Sequence, residues 1–181
     1  MPFNHDNMIG VRLAEDLVNL AWEGPWDAAS LLRVLRSGFV TVSGTGQLDD
    51  DTIERLREWT TRVRRAFAAG SAGERADRLN ELLTDGVRLI QLASHDDLPP
   101  HLHFADSEAE LLQRIKALTA GGLAIFAVEA EAQRMGVCAR PGCERVFADT
   151  SKNGRRAYCS AVCGNAHAVQ RYRARQHGNA R

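Results

Sequence analysis

Residues 138–167 read CARPGCERVFADTSKNGRRAYCSAVCGNAH. Four cysteines, Cys138, Cys143, Cys159 and Cys163, fall within this stretch, and the first 137 residues hold none. They form two close pairs, Cys-x4-Cys and Cys-x3-Cys, separated by 15 residues. Each short pair supplies two corners of a tetrahedron, the pattern of an all-cysteine zinc site. Four thiolates leave no open coordination position, so one structural Zn²⁺ is expected rather than a catalytic one. Pro141-Gly142 forms a turn inside the first pair that lets backbone N–H groups support the sulfurs. Cys159 and Cys163, at i and i+4, share a face once Cys163 lies in the first turn of a helix. Neither pair has the CxxC spacing of thiol oxidoreductases. His167, four residues further on, is a spare ligand, but four sulfurs already fill the shell.

Working outward from the cysteines, residues after 136 carry few large apolar groups: Val137, Val146, Phe147, Tyr158, Val162, Val169 and Tyr172. Such a core does not fold alone. Metal binding worth about 10–16 kcal/mol then becomes the folding energy of the segment. Its charge is distinctive too. The whole chain of 181 residues balances 23 Lys/Arg against 23 Asp/Glu, with 44% hydrophobic residues, as a globular protein does. That balance excludes a strongly basic nucleic-acid coat and a disordered acidic chain. It hides a split: residues 1–133 hold 13 basic and 21 acidic residues, whereas residues 134–181 hold 10 and 2. Two parts with different partners are implied, a helical domain over 1–134 and a zinc module with a basic helix over 135–181.

In the basic part, Arg140, Arg145, Lys152, Arg155 and Arg156 decorate the knuckle and the loop between the cysteine pairs. On the helix expected after Cys163, His167, Arg171 and Arg175 share one face; Asn165, Val169 and Tyr172 share another, suited to packing on the knuckle. Arginines on a rigid helix pair with phosphate and, in the major groove, with guanine. The DNA-contacting set read from this pattern is Lys152, Arg155, Arg156, Asn165, His167, Arg171 and Arg175. The alternative is a protein-docking face, its partner including residues 1–133 of a second copy.

The N-terminal part reads as helices. Residues 9–22 place Ile9, Leu13, Leu17 and Leu20 on one side and Val11 and Val18 on the other, as a buried helix does. Its remaining strip carries Arg12, Asp16, Asn19 and Glu23 and is either a solvated edge or the polar wall of a ligand cavity. Arg12, Asp16 and Asn19, with nearby Trp22, are the candidate pocket residues. Asp27 is the expected N-cap of a second helix, with Leu31, Leu32 and Leu35 as its stripe. Asp49-Asp50-Asp51 opens a third, striped by Ile53, Leu56, Thr60, Val63 and Phe67, with a Glu58–Arg62 pair on its wet side. Ser71 to Glu74 fits a capping box for a helix over 72–84, and Ser107 to Glu110 another for a helix reaching about Met135, with Gly121-Gly122 marking a kink or a close backbone approach. Between these helices, residues 87–93 and 101–104 read as a β-hairpin with a long loop.

The remaining signals exclude more than they assign. The N-terminus lacks a basic region followed by an apolar run, and the longest apolar run, Leu123 to Val128, is six residues. A cytoplasmic protein without a membrane span is expected. Neither a P-loop, GxGxxG nor HExxH occurs, and no catalytic residues or enzymatic activity are expected. His101-x-His103, beside Asp96, Asp97 and Asp106, is the other ligand-like cluster; a loop role outweighs a second metal there.

The chain resembles the CGNR zinc-finger family through Cys138, Cys143, Phe147, Asp149, Ser151-Lys152-Asn153, Arg155-Arg156, Tyr158, Cys159-Ser160 and Cys163-Gly164-Asn165. It departs at Ala166, where the family has Arg, which removes one cation from the helix start. Residues 9–134 resemble the ABATE domain that commonly precedes this finger, through Leu13-Ala14-Glu15-Asp16-Leu17-Val18-Asn19 and the order of helices around a central hairpin. The resemblance implies a bacterial, stress-linked transcription regulator: a DNA-binding zinc finger behind a domain that senses a small-molecule effector or forms a homodimer. The fold expected is mainly α, with a small hairpin and a C-terminal four-cysteine module followed by a helix.

Overall fold

The computed structural model describes residues 5–38, 40, 42, 48–94, 100–106 and 109–178. It is mainly helical with a small hairpin, as the periodicities require. The first helix, α1 (His5–Glu23), is apolar on two sides because neighbours cover both: α5 (Leu111–Glu129) on one, and α2 (Ala28–Ser37) with α3 (Asp50–Ala68) on the other. Val11, Leu13, Leu17 and Val18 are all buried. By length and composition α5 is apolar enough to cross a membrane, but 61% of that window is buried within the protein, as in a core helix. Gly122 is a close approach rather than a kink: a Cβ there would lie 2.9 Å from the Gly10 Cα of α1. At 2.9 Å no side chain fits between the two backbones.

The caps expected at Asp27 and Ser71 form, and Asp49 adds another. Asp27 and Asp49 accept the N–H groups of Ser30 and Thr52, both at 2.8 Å, and open α2 and α3. Ser71 Oγ accepts the Glu74 N–H and starts α4 (Ala72–Gly86), while the Glu74 carboxylate reaches back to the Gly70 N–H. The start of α5 differs: Glu110 is its N-cap, without a side-chain bond, and Ser107 lies outside the described residues. That helix also stops at Glu129, short of Met135, where Glu131 and Ala132 turn with φ of 50° and 53°. On α3, Arg62 does not pair with Glu58. It reaches Asp85 of α4 at 2.5 Å, where Lys116 of α5 also binds at 3.2 Å, so one carboxylate ties three helices. Burial alone would push the Asp85 carboxyl up; the two cations outweigh it and hold it below the usual range.

The hairpin pairs β1 (Gln91–Ala93) antiparallel with β2 (His101–His103), Leu92 opposite Leu102. Its loop, with Asp96 and Asp97, lies outside the described residues. A second antiparallel ribbon, β3 (Met135–Val137) with β4 (Val146–Ala148), precedes the last helix, α6 (Ala161–Gly178). This ribbon is not among the elements expected from the sequence. Met135, Val146 and Ala148 join the same apolar core as Leu13, Leu56 and Phe126, so that core runs on past residue 134.

Candidate metal centre

The ribbon delivers the cysteines. Cys138 follows β3 directly, and Arg140-Pro141-Gly142-Cys143 closes a turn through Cys143 N–H to Arg140 C=O at 3.0 Å, with Gly142 at φ 79°. Proline second and a left-handed glycine third are what a type II turn demands. Cys163 lies in the first turn of α6, its N–H capped by Ser160 Oγ. The four sulfurs lie within 4.8 Å of one another. Sulfur–sulfur distances are 3.5 Å for Cys159–Cys163 and 3.8 Å for both Cys143–Cys159 and Cys143–Cys163. A tetrahedron with Zn–S bonds of about 2.3 Å has edges of about 3.8 Å, whereas a disulfide needs about 2.05 Å. Donor type, number and spacing therefore fit one structural zinc ion held by Cys138, Cys143, Cys159 and Cys163.

The thiols are electrostatically unequal. Burial and neighbouring sulfurs push Cys159 up to about 12, whereas the bond from Arg140, with further ones from Cys159 and Ser160, draws Cys163 down to about 6. Such a cage yields the Cys163 thiolate readily and resists deprotonation at Cys159, a cost that a bound dication offsets. Arg140 Nη1 lies 3.8 Å from Cys163 Sγ. Its Nε is buried without a hydrogen-bond partner among the described residues, a cost that nearby thiolate charge offsets. Replacing Arg140 by Gln should leave all four ligands in place, yet speed zinc transfer to a chelating dye about tenfold. An unchanged rate would remove Arg140 from the cage's support.

The loop between the cysteine pairs is folded by Asp149. Its carboxylate accepts N–H groups from Ser151 (2.9 Å) and Arg156 (2.7 Å); these bonds outweigh burial and hold the carboxyl below its ordinary range. Arg134 donates to the Ser151 carbonyl at 2.8 Å and packs where a side chain on Gly154 would stand.

Half of the polar strip of α1 has a role outside both sequence readings: Asn19 and Glu23, with Glu15 beside them, carry the ribbon. Asn19 Nδ2 donates to the Val146 carbonyl (3.2 Å) while the Val146 N–H donates to Asn19 Oδ1 (2.9 Å), so a buried amide pairs with β4 as another strand would. The Ala148 N–H donates to Glu15 (3.2 Å), and Arg145 meets Glu23 at 2.5 Å. Arg64 of α3 grips Glu144 at 2.7 Å and stacks over Trp22 at 5.0 Å. Of the four expected pocket residues, Arg12 and Asp16 do border a cleft; Asn19 is consumed by β4, and Trp22 is 57% exposed. Glu15, another wall of that cleft, has no sequence signal separating it from its acidic neighbour. Arg75 is a second residue that pattern reading misses. Buried in α4, its guanidinium donates to the carbonyls of Ala66, Ala69, Ala132 and Met135, pinning the end of α3 to the start of the module.

The basic residues divide. Lys152, Arg155, Arg171 and Arg175 are exposed, as is Asn165. Arg156 is not free: it donates to the carbonyls of Tyr158 and Cys159 and lies over the Phe147 ring. His167 Nδ1 is 3.1 Å from the Tyr158 hydroxyl. Val169 and Tyr172 do not pack on the knuckle; they are 48% and 64% exposed, because α6 turns its Gly164–His167 side to Tyr158 and projects beyond it. His101 and His103 face the same side of β2 with Nε2 atoms 3.1 Å apart, and their acidic neighbours Asp96 and Asp97 lie outside the described residues.

A family model described as CGNR zinc finger matches residues 134–176. The four-cysteine segment is a zinc-finger module similar to that family. The matched span starts at Arg134, where the chain leaves the helices for β3, and closes near the end of α6. No curated protein matches the chain.

Proposed function

We propose that the protein is a DNA-binding transcription regulator, without enzymatic activity, whose zinc finger meets the duplex through Lys152, Arg155, Arg171 and Arg175. The observation that carries this reading is that these four cations, with Arg173, are exposed and have no hydrogen bond or ion pair among the described residues, whereas Arg145 and Arg64 are spent on docking. Zinc fixes α6 relative to the 149–156 loop, so cations from two segments form one rigid set. Arg156, Asn165 and His167 then support that set rather than lead it. The N-terminal helices, resembling the ABATE domain, would sense a small molecule or mediate dimerisation in a cytoplasmic, stress-linked regulator.

Fluorescence polarisation of zinc-loaded protein on duplex DNA tests the reading. About five neutralised phosphates give a log–log salt slope near −4.5. Arg171→Ala and Arg175→Ala should each flatten the slope by about 0.9, while Arg33→Ala on α2 should not change it. Absent or salt-insensitive binding would favour the other reading, a zinc-stabilised protein-interaction module. Exposed Val162, Val169 and Tyr172 on α6 support that alternative.

A further inference from the structure

A cleft of about 270 Å³ lies on the seam between α1 and the finger. Met8, Arg12, Glu15 and Asp16 line it from α1; Thr150 and Arg156 line it from the finger. Spacings of four, seven and eight residues put the α1 members on one face. The walls carry two guanidinium groups and two carboxyls, and their charges cancel.

That composition selects a ligand. A simple anion meets two carboxylates, a simple cation meets two arginines, and an apolar molecule finds little besides Met8. Arg12 and Asp16 have no hydrogen bond or ion pair among the described residues, and Glu15 uses one oxygen on the Ala148 N–H. Arg156 spends Nε and Nη2 on the Tyr158 and Cys159 carbonyls, which leaves Nη1. The volume is the liquid share of roughly nine waters, enough for a small amino acid.

We propose that this seam binds a small zwitterion of the α-amino acid class, its carboxylate held by Arg12 and Arg156 and its ammonium by Asp16 and Glu15. A planar guanidinium matches a carboxylate bidentately, and an ammonium needs convergent acceptors, so each wall binds one end. The site spans both halves of the chain. Arg156 also holds the carbonyl of a zinc ligand, so an occupant steadies the segment bearing Cys159 and slows loss of the ion. This names a ligand class for the sensing role proposed above and rests on that role; its test reads zinc retention and binding heat, not DNA.

The experiment uses zinc-loaded full-length protein with L-alanine as probe, and acetate and ethylammonium as half-ligand controls at equal ionic strength. Calorimetry should give saturable alanine binding with a dissociation constant of about 1 mM or tighter. Zinc transfer to a chelating dye should slow several-fold at saturation, and neither control should reproduce it. Asp16→Asn and Arg12→Gln, both at exposed positions outside the metal shell, should each weaken alanine binding about tenfold with zinc content unchanged. No saturable binding, equal effects from a control, or binding indifferent to both substitutions would overturn the proposal. Intact DNA polarisation alongside any of these results would leave the regulator reading standing without this ligand.

Discussion

Removing zinc from the full-length protein should cost the chain α6, the turn at residues 139–144 and the 149–160 loop, and leave α1 to α5 folded. The distal finger has almost no apolar core: Val162, Val169 and Tyr172 are exposed, and Tyr158 packs mainly on Gly164 and His167. Its order comes from the cage, worth about 10–16 kcal/mol in comparable modules. The ribbon is different. Met135, Val146 and Ala148 are buried in the helical core, and Asn19 and Glu15 bond to β4. With a chelator, circular dichroism should lose the signal of the 18-residue α6 while α1 to α5 persist. Proteolysis should open at Lys152, Arg155 and Arg171, and amides of β3 and β4 should stay protected from exchange. Unfolding of the whole chain, or no change, would contradict this division.

Substituting Asn19 by Ala should be the most damaging change on the polar strip of α1. It strands the Val146 N–H and C=O in a buried seam, at a cost of about 2–4 kcal/mol. For a chain of this size the melting temperature should fall by roughly 10 °C. Zinc content should stay at one ion per chain, since no ligand is touched; loss of metal would mean that docking and caging are one event. Asn19→Asp gives a sharper check. The carboxylate keeps the bond from the Val146 N–H but sets an oxygen against the Val146 carbonyl. Burial and that repulsion raise its folded pKa above the unfolded value. The penalty is therefore full at neutral pH and recedes as pH falls through the folded pKa, where a proton restores a donor. Asn19→Ala should show no such recovery.

The metal cage was legible because its information is local: four cysteines in two pairs and a Pro-Gly turn set the geometry within 26 residues. The caps at Asp27 and Ser71 were legible for the same reason. The docking role of Asn19 and Glu23 on α1 was not. Arg12, Asp16, Asn19 and Glu23 have the spacing of a solvated edge, and nothing within one helix says that Val146, 127 residues away, will pair with Asn19. Arg75 shows the same limit: among many surface arginines, only tertiary packing picks the one that binds four carbonyls. Tyr172 and Val169 failed in the opposite direction. Their helical spacing fits a packed face, but the knuckle is too small to cover one that far along α6.

The strapping of β4 along α1 makes the finger a poor candidate for transplantation. Cut out as residues 134–178 and fused to another protein, it would carry its greasy underside, Met135, Val146 and Ala148, into water. A graft that stays dissolved has to bring α1 along, or repaint those three positions with hydrophilic side chains.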